Sequence, residues 1–497
     1  MMGSDSSTVR TIVGLEVHVQ LHTRTKLFCG CPLRSDAPPN SCVCPVCLGH
    51  PGALPVINRR AVELAVLTGM ALKCAIARHT KWDRKSYYYP DMPKNYQISQ
   101  YDMPLALGGY FEIDVKGKSK RVRIRRAHLE EDAGKNIHDV AGCSLVDLNR
   151  AGTPLLEIVT EPDIGSAEEA FTFCTELHKL VTYLGVSEGS MQKGHMRFEP
   201  NVNIAITTGN GEIRTPIAEI KNLNSFKSVR TAIEYESQRQ LAAWETDNEY
   251  ELGKRPNENR GFVDDKQVTE FQRGKEEVHD YRYFPDPDLV PVECSEAVLD
   301  EIRASLPELP LARRKRFATQ FDLSAEDAET IMADRAAADL FESAVGCGAP
   351  AGVVGKQLIN VWIKLSHDRG SRLTELGVDA ERIADLAGMT AEGSVSATAA
   401  SRLAEAMVDD GASPMALAER FGLVQVRDQA ATVQWVEEAF SANQKAVEDA
   451  TKNPKKAKAA AGFLRGQVMR ISGGKADPKL VGRLIDGRLA GLRDNAA

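Results

Sequence analysis

The chain has 497 residues, 43% of them hydrophobic and 26% charged, an ordinary globular balance in a length that exceeds what one hydrophobic core organises. No apolar run reaches the ~18 residues of a membrane helix, which argues against a membrane partner. The net charge of −7 hides an asymmetry: from Asn443 onward twelve Lys and Arg face five Asp and Glu, so the expectation is an acidic body with a basic, polyanion-contacting tail.

The opening residues MMGSDSSTVR lack the apolar core of a secretory signal and the Arg-rich pattern of a transit peptide, so the expected location is the cytoplasm. From Thr11 to Leu21 the alternation of residue types predicts a strand. On it Glu16 and His18, two residues apart, project from one face. Five of the ten cysteines then crowd between Cys29 and Cys47. Cys29-Gly30-Cys31 and Cys44-Pro45-Val46-Cys47 form two short knuckles whose four soft thiolates suit a closed, structural zinc site. Cys42 is a fifth thiol, either a bystander or a replacement for Cys44.

Helical spacing predicts a helix from Arg59 to Leu72. Arg84 to Gln97 mixes basic residues with Tyr87, Tyr88, Tyr89 and Tyr96, a pattern equally suited to a phosphate-binding loop and to a structural tyrosine cluster. Lys120 to Arg125 alternates as a strand does. His128-Leu129-Glu130-Glu131-Asp132 follows, and Glu157 lies in the apolar frame Leu155-Leu156-Glu157-Ile158-Val159, where an acid needs a partner. Ser166 followed by Glu169 has the form of a capping box for a helix running to Leu184. Glu199, in Arg197-Phe198-Glu199-Pro200-Asn201, adds a further carboxylate. Hard carboxylates with an imidazole suit Mg²⁺; the spacing alone favours a set of solvated strand-face acids.

After the aromatic segment Asp280-Tyr281-Arg282-Tyr283-Phe284-Pro285-Asp286-Pro287-Asp288-Leu289 the texture turns to Ala, Leu, Glu and Arg at helical spacing, which puts a domain boundary near residue 295. Leu323 to Asp327 reads as a helix start and Gly346 to Pro350 as a stop. A second boundary is expected between residues 425 and 440. No Walker-type phosphate loop and no nucleophile elbow is found, so a bound ATP would need another cradle.

Taken together, these segments resemble the B subunit of the glutamyl/aspartyl-tRNA amidotransferases of the GatCAB type. The resemblance rests on Val13-Gly14-Leu15-Glu16-Val17-His18-Val19, Cys44-Pro45-Val46-Cys47-Leu48-Gly49, Tyr89 to Gln100, His128 to Lys135, Val146 to Pro154 and Asp280 to Pro285. It spans essentially the whole chain. It implies an α+β fold: a cradle domain around an antiparallel sheet, like glutamine synthetase and guanido kinases, over residues 1–295. An all-α helical domain over 296–430 and a small helical YqeY-like tail domain over 431–497 would follow.

The implied activity is ATP-dependent phosphorylation of the side-chain carboxylate of Glu-tRNA(Gln) or Asp-tRNA(Asn), then displacement of phosphate by ammonia. The implied cofactors are ATP, Mg²⁺ and structural Zn²⁺. Carried over by position, His18, Glu131 and Glu157 are expected Mg²⁺ ligands, and Glu16, Glu130 and Glu199 would complete the acidic cradle or hold a second ion. This chain has Glu-Pro-Asn at Glu199 where many relatives have Asp, a small residue and Asn. Lys85 and Lys94 match positions tied to the polar ammonia path and, with Glu131, are the expected catalytic residues.

Lys452, Lys455, Lys456, Lys458, Arg465, Arg470, Lys475 and Lys479 are the expected tRNA contacts, supplying mainly non-specific phosphate affinity. The expected partners are a glutaminase A subunit, since no Ser-Ser-Lys amidase signature is present, a small C subunit, the misacylated tRNAs and a non-discriminating aminoacyl-tRNA synthetase. Archaeal E-type relatives carry a large insertion for which this chain leaves little space. Two rivals are a non-catalytic tRNA-binding adaptor and a ligase acting on a free small acid.

Overall fold

The computed structural model describes residues 8–138, 142–209, 211–247, 249–274, 281–425, 429–452 and 456–494. It divides into two compact units, Met1–Pro310 and Leu311–Ala497.

Among the described residues the first unit is built on an eleven-stranded sheet. Its first long member is β1 (Thr8–Gln20); the short strands β2 (Asp83–Ser86) and β3 (Tyr96–Ser99) that come later in the chain lie outside it. The sheet resumes with β4 (Lys118–Glu131), β5 (Pro154–Thr160) and β6 (Met196–Thr208), with β7 (Ala218–Lys221), β8 (Glu258–Val263) and β9 (Val268–Gly274) beyond them. The order is β9–β8–β7–β6–β1–β5–β4, continued by the short strands Ala106–Leu107 and Ala75–Ile76. Every pairing along this path is antiparallel except β7 with β8, which run parallel, so the expected antiparallel sheet is in fact mixed.

Strand alternation sorts the sheet into two faces. Leu15, Val17 and Val19 of β1, Leu156 and Ile158 of β5, and Phe198 of β6 are buried. Helix α2 (Ala167–Tyr183) buries Phe173, Leu177 and Val181, and α3 (Phe226–Thr246) buries Val229 and Ile233. The Phe226 ring meets Phe198 edge-on at 5.7 Å, which seats α3 on the apolar face. Each large aliphatic side chain hidden there contributes roughly 1.5–3 kcal/mol. The opposite face carries polar side chains together with Leu155 and Val159 of β5.

Ser166 caps α2 through the Glu169 amide at 3.2 Å. The reciprocal half of the expected box is absent, because the Glu169 carboxylate accepts from the Gly165 amide and pairs with Lys120. Helix α1 (Arg59–Ala71) starts on Asn58, whose side chain accepts from the Arg60 and Ala61 amides. The helix Glu296–Ser305 touches α1 and stays with the first unit, so that unit runs past the change of texture at residue 295. A separate three-stranded sheet joins β2 to β3 and to β10 (Phe284–Pro285).

The second unit, from Leu311 onward, is helical among the described residues, starting within the helix Pro310–Gln320 and ending with Pro478–Asp494. Ser324 caps the helix Ala325–Met332, and the helix Arg335–Gly346 stops before Gly348, whose φ of 97° a side chain would resist. The last four helices, Gln429–Ala442, Gln444–Lys452, Ala457–Ile471 and Pro478–Asp494, share a core of Val436, Phe440, Leu464, Val468, Ile485 and neighbours. Among the described residues no helix is long and apolar enough to cross a membrane.

Candidate functional site

The polar face of the sheet carries the site. Register places Arg197 of β6 opposite His18 of β1, His18 opposite Glu157 of β5, and Glu157 opposite His128 of β4. Four strands thus contribute one row of cation, imidazole, carboxylate and imidazole. The next row toward the N-terminus of β1 holds Glu199 opposite Glu16. Glu130, two residues beyond His128 on β4, projects to the same side. These groups form the floor of a cavity of about 560 Å³.

His18 Nε2 lies 3.4 Å from Glu130 Oε1 and 3.6 Å from Glu157 Oε2. His128 Nε2 lies 3.4 Å from Glu157 Oε2. One ligand atom each from His18, Glu130 and Glu157 fall within 4.8 Å of one another, a spacing that could hold a metal ion. The Nδ1 atoms of both imidazoles are buried without a hydrogen-bond partner. Glu16 accepts from Asn201 Nδ2 at 3.0 Å, and Lys221 Nζ donates at 2.8 Å to both Glu199 and Glu219.

The electrostatics follow from burial and crowding. Burial opposes a charge on His18, but the hydrogen bond to Glu157 and the charges of Glu130 and Glu157 prevail and push its pKa up to about 9. Burial, reinforced by Glu157, raises Glu130 to about 7. Glu157 goes the other way: burial is outweighed by His128 and His18, and its carboxylate is held well below the usual range. His128, buried beside Arg126 and His18, is lowered to about 4 despite the attraction of Glu157. The Glu16 carboxyl is raised, first by burial and then by Glu157 and Glu219.

The expected ligand Glu131 is not part of this group. As the residue after Glu130 it points to the other side of β4, where its carboxylate pairs with Lys94 and accepts from the Ile98 amide at 2.9 Å. Of the residues expected as ligands, the structure brings His18, Glu130 and Glu157 together and places Glu131 apart from them. The two expected lysines separate as well. Lys85 lines the cavity with its Nζ 4.7 Å from the Tyr281 ring, and burial fails to lower its pKa because Glu130 attracts the ammonium. Lys94 stays with Glu131.

The four expected zinc ligands converge. One sulfur each from Cys29, Cys31, Cys44 and Cys47 lie within 4.8 Å of one another, so the group could hold a metal ion. Cys44 N donates to Cys47 Sγ at 3.2 Å, and the fully buried Lys26 reaches the same sulfur at 3.5 Å. The hydrogen bond from Cys29 outweighs burial and, with the Cys44 amide and Lys26, brings the Cys47 thiol down to about 4. Cys42 lies outside this group; its amide donates to Asn149 Oδ1 at 2.8 Å.

In the basic tail Lys456, Lys458, Arg470, Lys475 and Lys479 are exposed. Arg465 is held by Asp486 at 2.7 Å. Lys455 and the side chain of Lys452 lie outside the described residues, as does Asp280.

Sequence reasoning passed over His128, Arg197 and Lys221. For His128 the signal was present, because His128 and Glu130 repeat the two-residue spacing of Glu16 and His18. Arg197 and Lys221 became visible only through the pairing of β6 and β7 with their neighbours.

Two family models match the chain: one described as the GatB/GatE catalytic domain over residues 11–300, the other as a GatB domain over residues 339–489. Curated relatives are similar over nearly the full length. The B subunit of an aspartyl/glutamyl-tRNA(Asn/Gln) amidotransferase from Thermomicrobium roseum is 47% identical, with 96% of this chain and 98% of that protein covered. The protein of the same name from Caldanaerobacter subterraneus is 44% identical, with 95% and 98% covered. That from Geobacter sulfurreducens is 44% identical, with 97% and 99% covered.

Proposed function

The chain belongs to the family of aspartyl/glutamyl-tRNA(Asn/Gln) amidotransferase B subunits, and on that premise we propose that it activates the carboxylate in a tRNA-dependent amidation. The side-chain carboxylate of Glu on tRNA(Gln), or of Asp on tRNA(Asn), takes the γ-phosphoryl group of ATP. Ammonia from a partner glutaminase attacks the acyl phosphate, phosphate leaves, and Gln-tRNA(Gln) or Asn-tRNA(Asn) results. Without the phosphoryl group the carboxylate would have to expel oxide, a far poorer leaving group.

The observation that carries this reading is the row of His18, Glu157 and His128, the first two half-buried and the last buried, with the buried Glu130 beside it. Two carboxylates and an imidazole within reach of one point, with no lysine or arginine bonded to either carboxylate among the described contacts, fit a Mg²⁺ ion. His18, Glu130 and Glu157 would hold it, with Glu16 and Glu199 in the adjoining row. Bound there, the ion would offset negative charge on the phosphates during transfer. Lys85 lines the same cavity, beside Arg197 paired with Asp132 and Lys221 paired with Glu199 and Glu219, and its ammonium favours entry of an anionic nucleotide. Lys85, kept protonated by Glu130, suits a phosphate contact rather than a base. Lys94 and Glu131, on the reverse side of β4, suit the path of ammonia.

The four-cysteine group would hold a structural zinc ion. Residues 1–295 would form the cradle, related to glutamine synthetase and guanido kinases, residues 296–430 the helical domain, and residues 431–497 a YqeY-like tail on tRNA. The complex would include a glutaminase A subunit and a small C subunit.

The test is γ-phosphate transfer from labelled ATP with Mg²⁺ and Glu-tRNA(Gln) or Asp-tRNA(Asn), using the chain in complex with its glutaminase. Glu130→Ala and Glu157→Ala are each expected to lower tRNA-dependent phosphate release by ~100-fold. Unchanged turnover in both variants would leave a non-catalytic tRNA adaptor as the better reading.

A further inference from the structure

Two aromatic segments that the chemistry above does not use meet at the same cavity. Tyr87, Tyr88 and Tyr89 follow β2, and Tyr101 follows β3; Tyr281 and Tyr283 precede β10, far along the chain. The pairing of Phe284 with Arg84 and a hydrogen bond from the Ser86 amide to the Tyr281 carbonyl at 2.8 Å bring them together. Tyr87, Tyr101, Tyr281 and Tyr283 line the cavity whose floor is the carboxylate and imidazole row.

The rings are not packed as a core would pack them. Tyr88 is 65% exposed and Tyr101 54%. Tyr101 and Tyr283 are stacked at 4.2 Å with their planes 13° apart, and Tyr281 meets Tyr283 edge-on at 6.2 Å. Positive charge is interleaved: the Arg282 guanidinium lies 5.7 Å from the centre of the Tyr88 ring, and Lys85 Nζ 4.7 Å from that of Tyr281. Flat, accessible rings beside cations are what a single-stranded nucleic acid requires, since bases stack on the rings and phosphates meet the charges. A tyrosine cluster serving structure alone would hide its rings.

We propose that this tyrosine rim is a base-stacking platform that receives the single-stranded 3′ end of the RNA substrate at the cavity mouth. The identity of that RNA rests on the amidation reading above; the stacking does not. A terminal base laid against the exposed Tyr101 would extend the Tyr101–Tyr283 stack. The aminoacyl group beyond it would then reach toward the acidic floor.

The test uses the full chain with its partner subunits and a tRNA(Gln) carrying 2-aminopurine in place of its 3′-terminal adenine, whose fluorescence falls on stacking. Wild type is expected to quench the probe. Tyr101→Leu, at an exposed position, should recover at least half of the lost fluorescence, and Tyr88→Leu, on the rim outside the cavity lining, a smaller share. Tyr101→Leu should also raise KM for Glu-tRNA(Gln) by about ten-fold, in line with the loss of one stacked base, with a smaller effect on KM for ATP. Quenching that survives both substitutions would overturn the proposal. So would a rise in KM for ATP with quenching unchanged, which would assign the rim to the adenine of the nucleotide. The fluorescence needs no turnover, so a wild type that quenches the probe but transfers no phosphate would sink the proposed function and uphold the platform.

Discussion

Glu130 and Glu131 are neighbours on β4 with different partners: Glu130 faces His18 across the cavity floor, and Glu131 is tied to Lys94 behind the strand. If the floor holds Mg²⁺, Glu130→Gln should weaken Mg²⁺ binding by ~10-fold or more, while Glu131→Gln should leave it within about three-fold. Titration calorimetry on the complex without nucleotide checks this, and equal losses in both variants would refute the assignment. The same titration reads the proton on His18. Its pKa of about 9 lies above the ordinary 6.5, so in the metal-free protein its contribution to stability is complete below pH 6.5 and is lost as pH rises through about 9. At pH 7.5 a metal ion must displace that proton, and heats compared in two buffers of different ionisation enthalpy should count about one proton released per ion. Identical heats would mean that His18 was already neutral. The pairing of Glu16 with His18 was legible because two-residue spacing on a strand defines a face. The choice between Glu130 and Glu131 was not, because it depends on which face of β4 turns inward, and pairing with β5 decides that.

At the scale of elements, the cysteine knuckles were the most legible part of the chain. Their ligands come in close pairs, so local sequence already supplies most of the geometry. The knuckle also touches segments distant in the chain, which no spacing announces. Lys26 links Cys47 to the Leu148 carbonyl before β5. Gly49 lies against Lys94, the partner of Glu131: its φ is 70°, and an added Cβ would come within 2.7 Å of Lys94 Cγ. Zinc analysis of the purified chain is expected to give about one ion per chain, retained in Cys42→Ser and lost in Cys47→Ser. Zinc lost from Cys42→Ser instead would mean that the fifth thiol replaces one of the four. The tyrosine segments were the opposite case, ambiguous in sequence because their meeting depends on the pairing of β2 with β10, which lie far apart in the chain.

Over the whole molecule, charge is divided between an acidic body and a tail with seven more positive than negative residues. Cutting the chain at Asn443 would test the tail poorly, because Val436, Ala439 and Phe440 share a core with Leu464, Val468 and Ile485. Removing the later helices would expose that core, and lost RNA binding would then report unfolding. Charge reversal at exposed positions avoids the difficulty. Lys458, Lys475 and Lys479 are exposed, whereas Arg465 is already paired with Asp486. If the three lysines meet phosphates, each contact releases condensed cations, and the logarithm of affinity falls with the logarithm of salt by roughly 0.7–0.9 per contact. The variant Lys458→Glu/Lys475→Glu/Lys479→Glu should therefore flatten the salt dependence of tRNA binding by about two units. Its affinity loss should be large at low salt and shrink as salt rises. Both tRNA(Gln) and an unrelated tRNA should suffer alike, because phosphate contacts carry no sequence information. A salt slope unchanged from wild type, measured by filter binding on the assembled complex, would remove these lysines from the RNA interface and leave the basic charge of the tail without that role.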